Sequence, residues 1–179
     1  TVGVVAALAG GWAGYLHLTG NFHPIEAGVI YRSGQLSGSE FKDRIQENGI
    51  RTIINLPGDD TGQPSYDAEM KASKAAGVTH IDFPLSASKE LTENQIAELT
   101  ALLRDLSRPI LMPCQGGADR SGLATALFEL EVANRSAQEA SAQLSFRYGH
   151  FLWLTSTTAA MDRTFERVVS GKKLTEAVD

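Results

Sequence analysis

Short apolar runs rich in β-branched residues alternate along this chain with stretches that carry an apolar residue every three or four positions. The first such stretch after the N-terminal segment is extended. Phe22-His23-Pro24-Ile25 and Val29-Ile30-Tyr31-Arg32 read as two short strands, with Glu26-Ala27-Gly28 as the turn between them. Pro24 cannot donate to a ladder, so the hairpin is expected at a sheet edge. A loop from Ser33 to Ser39 ends in cap residues. Glu40 to Asn48 then reads as a helix with Phe41 and Ile45 on one face and Gly49 as its stop. Ile50 to Leu56 reads as a buried strand. Tyr66 to Ala76 is the next helix, stopped by Gly77, and Val78 to Phe83 the next strand. Thr92 and Gln95 form a capping-box signal, and Ile96, Leu99, Leu102, Leu103 and Leu106 line one face of the helix that follows. Pro109 to Met112 is the last strand. Ser121 to Asn134 is a helix with Leu123, Leu127, Leu130 and Val132 on its apolar face. Ala137 to Phe146, capped by Ser136, is another. A final amphipathic helix, capped by Thr155 or Ser156, reaches about Val169 with Met161, Phe165 and Val168 inward.

Strands that alternate with helices predict an α/β fold with a mostly parallel central sheet of four to five strands flanked by helices. Ligands in such sheets bind beyond the carboxyl ends of the strands. Three loops meet that description: Pro57-Gly58-Asp59-Asp60, Pro84-Leu85-Ser86, and the stretch that begins at Cys114. They are expected to rim one pocket. The acidic loop from Pro57 to Ser65 reads as a solvated loop.

The ends of the chain differ from its middle. Thr1 to Ile25 contains no Asp, Glu, Lys or Arg, and Val2 to Leu18 is apolar and small. That stretch nearly spans a bilayer. Its Gly and Ala residues make faces suited to close helix packing. Residues 1–20 are therefore either a membrane-anchor remnant, a helix packed on the domain, or a processing segment. Residues 21–170 form one domain and 171–179 a polar tail. The chain would be cytoplasmic or membrane-anchored. With 179 residues there is enough chain for a substantial core. A net charge of −5 and the lack of basic runs argue against a nucleic-acid partner. The single cysteine excludes an intrachain disulfide, and the four histidines show no metal-ligand spacing, so no metal and no other cofactor is expected.

The chemistry is concentrated in Pro113-Cys114-Gln115-Gly116-Gly117-Ala118-Asp119-Arg120-Ser121-Gly122. A strand, a small-residue loop and a helix N-terminus follow one another here. Backbone N–H groups of such a loop converge, and the helix dipole adds roughly half a positive charge. Arg120 can grip two phosphate oxygens in a fork that Lys cannot copy. Cys114 would share the same positive field, which favours its thiolate. A thiolate under a bound phosphate is a nucleophile aimed at phosphorus. The bland reading of Cys114 is a buried structural thiol.

Cys114-x5-Arg120-Ser121 resembles the signature of the cysteine-dependent protein tyrosine and dual-specificity phosphatases, in particular the atypical bacterial type. The resemblance implies a protein-tyrosine-phosphatase-like fold and a phosphocysteine intermediate on Cys114. It implies a phosphate held by the Arg120 side chain and the amides of Gln115, Gly116, Gly117, Ala118, Asp119 and Arg120, and a hydrogen bond from Ser121 to the thiolate. Two departures stand out. Pro113 occupies the place of the family's usual His. The family's usual acid is an Asp on a separate loop upstream, where this chain offers Asp82, within a strand, and Glu90. Asp119, inside the phosphate loop, looks like the arrangement in myotubularins and some bacterial lipid-directed phosphatases, in which it protonates the leaving oxygen. The other reading of Asp119 is a helix cap or first-turn carboxylate. Arg32 and Ser33 resemble the stretch that enters the domain in atypical dual-specificity phosphatases, although Arg32 reads more simply as a surface charge. Tyr148 and His150 read as residues of the core or of the pocket wall, the core being the simpler reading.

The function implied is a phosphomonoester hydrolase that acts on phosphotyrosine, phosphoserine or phosphothreonine in a protein, or on a phospholipid or inositol phosphate. Gln115, Gly116, Gly117 and Ala118 carry no positive charge, which favours phosphoprotein. Lys89 is the one base near the second loop and a candidate for a second phosphate. A phosphate-binding module without turnover is the reading from another class. Sulfur transfer or arsenate reduction is a third, for which the chain lacks resolving thiols.

Overall fold

The computed structural model describes residues 2–151 and 157–176. Its strands, in chain order, are β1 (His23–Glu26), β2 (Ile30–Ser33), β3 (Thr52–Asn55), β4 (Thr79–Asp82) and β5 (Ile110–Pro113). They lie side by side in the order β1-β2-β5-β3-β4. Only the β1–β2 pair is antiparallel; β2–β5, β5–β3 and β3–β4 are parallel. The hairpin is at the edge, as Pro24 requires.

The helices are α1 (Val2–Leu18), α2 (Gly38–Asn48), α3 (Pro64–Ala76), α4 (Glu93–Asp105), α5 (Asp119–Leu127), α6 (Ala137–Ser141) and α7 (Ala159–Glu176). Local signals set several of their ends. Ser37 with Glu40 and Thr92 with Gln95 close reciprocal capping boxes on α2 and α4. Gly49 and Gly77 end α2 and α3 in the left-handed region, at φ 61° and 66°.

The central position of β5 decides where the core lies. Its side chains alternate between two faces. Ile110 and Met112 pack with Ile30, Ile54, Leu99, Leu103, Leu123, Leu127 and Phe165, the layer that holds α4, α5 and α7. Leu111 packs with Tyr31, Phe41, Ile45 and Ile53, beneath α2. Pro113 shapes the ladder around it. It has no N–H to offer, and the β5–β3 pairing stops after Ile53↔Leu111, whereas the β5–β2 pairing runs on to Ser33↔Pro113. The chain leaving β5 is held from both sides: the Leu56 N–H donates to Pro113 O at 3.2 Å, and the Cys114 N–H donates to Ser33 O at 3.1 Å.

Helices α2 and α3 begin two residues before their expected starts, and the larger differences lie in the second half of the chain. The helix after the phosphate loop begins at Asp119, not Ser121, and passes from Phe128 to Val132 into a π-helical turn. The helix after Ser136 is only Ala137–Ser141; a separate 3₁₀ turn covers Phe146–Tyr148. Residues 171–176, expected as tail, continue α7. Lys172 explains this continuation, for its Nζ donates to Leu130 O at 3.1 Å and faces Glu131 at 3.5 Å. Thr155 and Ser156, the expected caps, lie outside the described residues. The C-terminal end of α1 rests on the domain: Leu16 is buried, and Trp12 Nε1 donates to Phe146 O at 3.1 Å. Among the described residues no helix is long and apolar enough to cross a membrane.

Candidate active site

Cys114 follows directly on β5 and α5 opens at Asp119, so the five residues between Cys114 and Arg120 must turn tightly beyond the sheet. Gly117 makes the turn possible. It has φ +67°, and a Cβ there would lie 2.4 Å from Gly34 N and 2.6 Å from the Ser33 carbonyl carbon. No other residue fits without moving that backbone.

The loop's carbonyls are all tied to the outside. Gln115 O accepts from the Gln35 amide at 3.2 Å. Gly116 O accepts from Asn21 Nδ2 at 2.8 Å. Gly117 O accepts from Arg32 Nε at 3.1 Å and Nη2 at 2.9 Å. Ala118 O accepts from Arg32 Nη2 at 2.8 Å. In a planar trans peptide the N–H of the next residue points opposite to the carbonyl. Pulling these four carbonyls outward therefore turns the N–H groups of Gly116, Gly117, Ala118 and Asp119 inward. The result is an oxyanion cradle at a helix N-terminus.

Arg32 carries most of this bracing and corrects the expectation of a surface charge. Its side chain is among the largest fully buried ones, at 0% exposure. It also donates from Nη1 to Gln143 O at 2.8 Å and lies 4.1 Å from the centre of the Tyr148 ring. Burial pushes its pKa down to about 10, against the opposing pull of Cys114, Tyr148, Asp119 and Glu129. It remains a cation at neutral pH, held behind the loop. An apolar strand that carries one Arg on its buried face, in register with Ile30, was the signal in the sequence.

Cys114 is buried and free. Arg120 Nη1 donates to Leu85 O at 3.4 Å, and its Nε is buried without an acceptor among the described residues. An unpaired buried donor of a guanidinium is unfavourable unless an acceptor arrives. Leu85 N in turn donates to Leu56 O at 2.8 Å, and Gly58 lies against Pro84. The loop at 84–86 thus meets Arg120 through Leu85 and the loop at 57–60 through Pro84.

The remaining expected residues are placed as follows. The Ser121 hydroxyl is buried and donates to Met112 O at 3.0 Å, rather than to sulfur. Asp82 accepts from Tyr66 Oη at 2.7 Å and from Asn55 Nδ2 at 2.8 Å. Glu90 is paired with Arg163 at 2.6 Å and with Arg167 at 2.8 Å. Lys89 is exposed. Asp119 is in the first turn of α5, but its carboxylate caps nothing: the cap position is Ala118, with no side-chain bond. Asp119 Oδ1 instead meets His150 Nδ1 at 2.7 Å. His150 is buried, as a core residue would be, but it is bonded to a residue of the loop. Burial works to lower its pKa, and the bonds to Asp119 and Asp162 outweigh burial and raise it.

A family model described as "DSP-PTPase phosphatase fused to NAD+ Kinase" matches residues 22–162. The chain belongs to the DSP-PTPase phosphatase family. No curated protein sequence matches it. Among solved structures, TpbA of P. aeruginosa is 19% identical, with a TM-score of 0.69 over 89% of this chain and 92% of that one. Tk-PTP is 17% identical, with a TM-score of 0.62 over 82% and 95%. PTPMT1 in complex with PI(5)P is 14% identical, with a TM-score of 0.56 over 84% and 98%. These likenesses establish the phosphatase-like α/β fold.

Proposed function

We propose that this phosphatase hydrolyses phosphomonoesters through a cysteinyl-phosphate on Cys114, and that its substrates are phosphorylated tyrosine, serine or threonine side chains of proteins. The observation that carries the mechanism is the cradle itself: four outward carbonyls, inward amides, and Arg120 with an unfilled donor. Cys114 Sγ attacks phosphorus in line and the bond to the leaving oxygen breaks. The amides and Arg120 hold the equatorial oxygens as charge develops. Asp119 gives its proton to the departing alkoxide. Water then attacks the phosphocysteine, Asp119 takes the proton from that water, and thiolate and inorganic phosphate are released. Asp82 and Glu90 stand behind Asp119 as acids, since each is already engaged by other groups. Ser121 would assist departure of the thiolate only by exchanging its bond to Met112 O for one to sulfur.

Gln115, Gly116, Gly117 and Ala118 bring no cation to the cradle, which supports a phosphoprotein side chain with a single phosphate over a polyphosphorylated headgroup. An inositol phosphate or phosphoinositide is the second reading. A loop Asp in the place of Asp119 and the exposed Lys89, free to meet a second phosphate, favour it. The test is hydrolysis of a panel of phosphopeptides and phosphoinositides by wild type and Cys114→Ser. Phosphopeptide turnover that vanishes in C114S supports the proposal. Turnover of phosphoinositides alone selects the second reading. Phosphate binding with no turnover of either class makes the chain a binding module.

A further inference from the structure

The acid reading of Asp119 leaves open what holds that carboxyl in place. It belongs to a three-member chain of side chains drawn from three parts of the sequence. His150 follows the 3₁₀ turn, Asp119 opens α5, and Asp162 is on the first turn of α7. The imidazole side chain is fully enclosed, at 0% exposure, while the Asp119 side chain keeps 29%. Nδ1 of His150 meets Asp119 Oδ1 at 2.7 Å. Nε2 meets Asp162 at 2.9 Å to Oδ2 and 3.2 Å to Oδ1. The ring therefore has a carboxylate at each nitrogen. An ionised carboxylate only accepts, so each of these two bonds needs a hydrogen from the ring. The arrangement that satisfies both is an imidazolium between two carboxylates, and when Asp119 takes a proton on Oδ2 its Oδ1 still accepts from the ring. Both ends of the ring are then fixed, and Asp119 keeps Oδ2 for another partner.

We propose that His150 is the positioning residue of the general acid Asp119, and that Asp162 in turn orients His150. The proposal rests on Asp119 being the acid. In the first step Asp119 Oδ2–H gives its proton to the leaving oxygen, which has taken the electron pair of the broken P–O bond. The new carboxylate keeps its Oδ1 bond to the His150 N–H, and no proton leaves the ring. In the second step the same Oδ2 takes a proton from the attacking water. The closed end of the pair, anchored by α7, keeps the open end from rotating away from the phosphate loop. Such anchoring of a reacting group is what a third residue supplies in nucleophile–base–orienter chains.

The experiment measures kcat and KM for Asp119→Asn, His150→Gln and Asp162→Asn on two esters. One is p-nitrophenyl phosphate, whose leaving group needs little protonation. The other is an alkyl phosphate, whose alkoxide needs it fully. The two esters are compared by kcat/KM, which ends at departure of the leaving group and leaves out hydrolysis of the phosphocysteine that both share. Loss of a general acid is expected to lower kcat/KM on the alkyl ester by about 100-fold or more in D119N. H150Q is expected to lose about 10-fold or more in kcat/KM on the alkyl ester and several-fold at most on p-nitrophenyl phosphate. D162N, which leaves His150 in place, is expected to shift the ratio of the two rates in the same direction by less. Equal losses on both esters in H150Q and D162N would mean that the residues serve only the fold, and the proposal fails. If D119N itself loses equally on both esters, the acid reading fails and takes the positioning role with it. If H150Q does not fold, the D162N ratio decides between these outcomes.

Discussion

Replacing Arg32 by Met disturbs the cradle while Cys114 and Arg120 remain. The side chain keeps its approximate length and loses every donor. Arg32 serves Gly117 O with two bonds and Ala118 O and Gln143 O with one each, all at 2.8 to 3.1 Å and all buried. Each buried carbonyl left without its partner costs about 1–3 kcal/mol. Ala118 O also receives the Gly122 amide, so two carbonyls, those of Gly117 and Gln143, lose most. Removal of the buried cation returns part of this, because its own desolvation is unfavourable. Two such carbonyls, less the part returned, leave a net loss of about 2–5 kcal/mol. For a chain of this size each kcal/mol moves the midpoint by roughly 2–4 °C, so R32M is expected to melt roughly 4–20 °C below wild type. The same change frees the Gly117 and Ala118 peptides to turn, so inhibition by inorganic phosphate should weaken along with stability. Thermal unfolding followed by circular dichroism and a phosphate inhibition constant check both halves. An R32M protein that melts within roughly 2 °C of wild type and keeps its phosphate affinity would refute the bracing role. Arg32→Lys, a point charge without the fork, should fall between the two.

Two further outcomes are expected. Gly117→Ala places a methyl group against the backbone of Ser33 and Gly34 at a positive φ. Phosphate affinity and turnover should both drop by more than an order of magnitude, with a modest loss of melting temperature; near-normal phosphate affinity would show that the loop does not need this turn. The His150 pKa is raised in the folded state. A histidine raised above its unfolded value of about 6.5 contributes stability in full below that pH and loses it as the pH climbs through the folded value. Urea unfolding of wild type and H150Q should therefore show a gap that is widest at about pH 6 and narrows as the pH rises above it. A gap that widens with pH would contradict the imidazolium between two carboxylates.

Much of the architecture was legible because local and global signals agree. Gly49, Gly77, the Thr92–Gln95 box and Pro24 each fix a boundary or an edge through chemistry contained within a few residues. The phosphate loop was legible for the same reason, since Cys114, the glycines and Arg120 are contiguous. What escaped depends on partners far away in sequence. Arg32 reads as exposed because a charge usually is; its place two residues from Ile30 hints at the buried face, and the contacts to Gly117, Ala118 and Gln143 account for it. The early end of α6 has the same cause, for Gln143 O is turned to receive Arg32 instead of continuing a helix. The continuation of α7 past Gly171 follows from Lys172 reaching Leu130 and Glu131. Asp119 and His150 are 31 positions apart, and no spacing rule joins them.

The most direct measurement is the intact and peptide mass of enzyme quenched in acid during turnover of p-nitrophenyl phosphate. One added phosphoryl group on the peptide that contains Cys114, absent from unreacted enzyme and from Cys114→Ser, is the result expected. Steady turnover with no phosphorylated Cys114 peptide, or activity retained by C114S, would contradict a mechanism that passes through this sulfur.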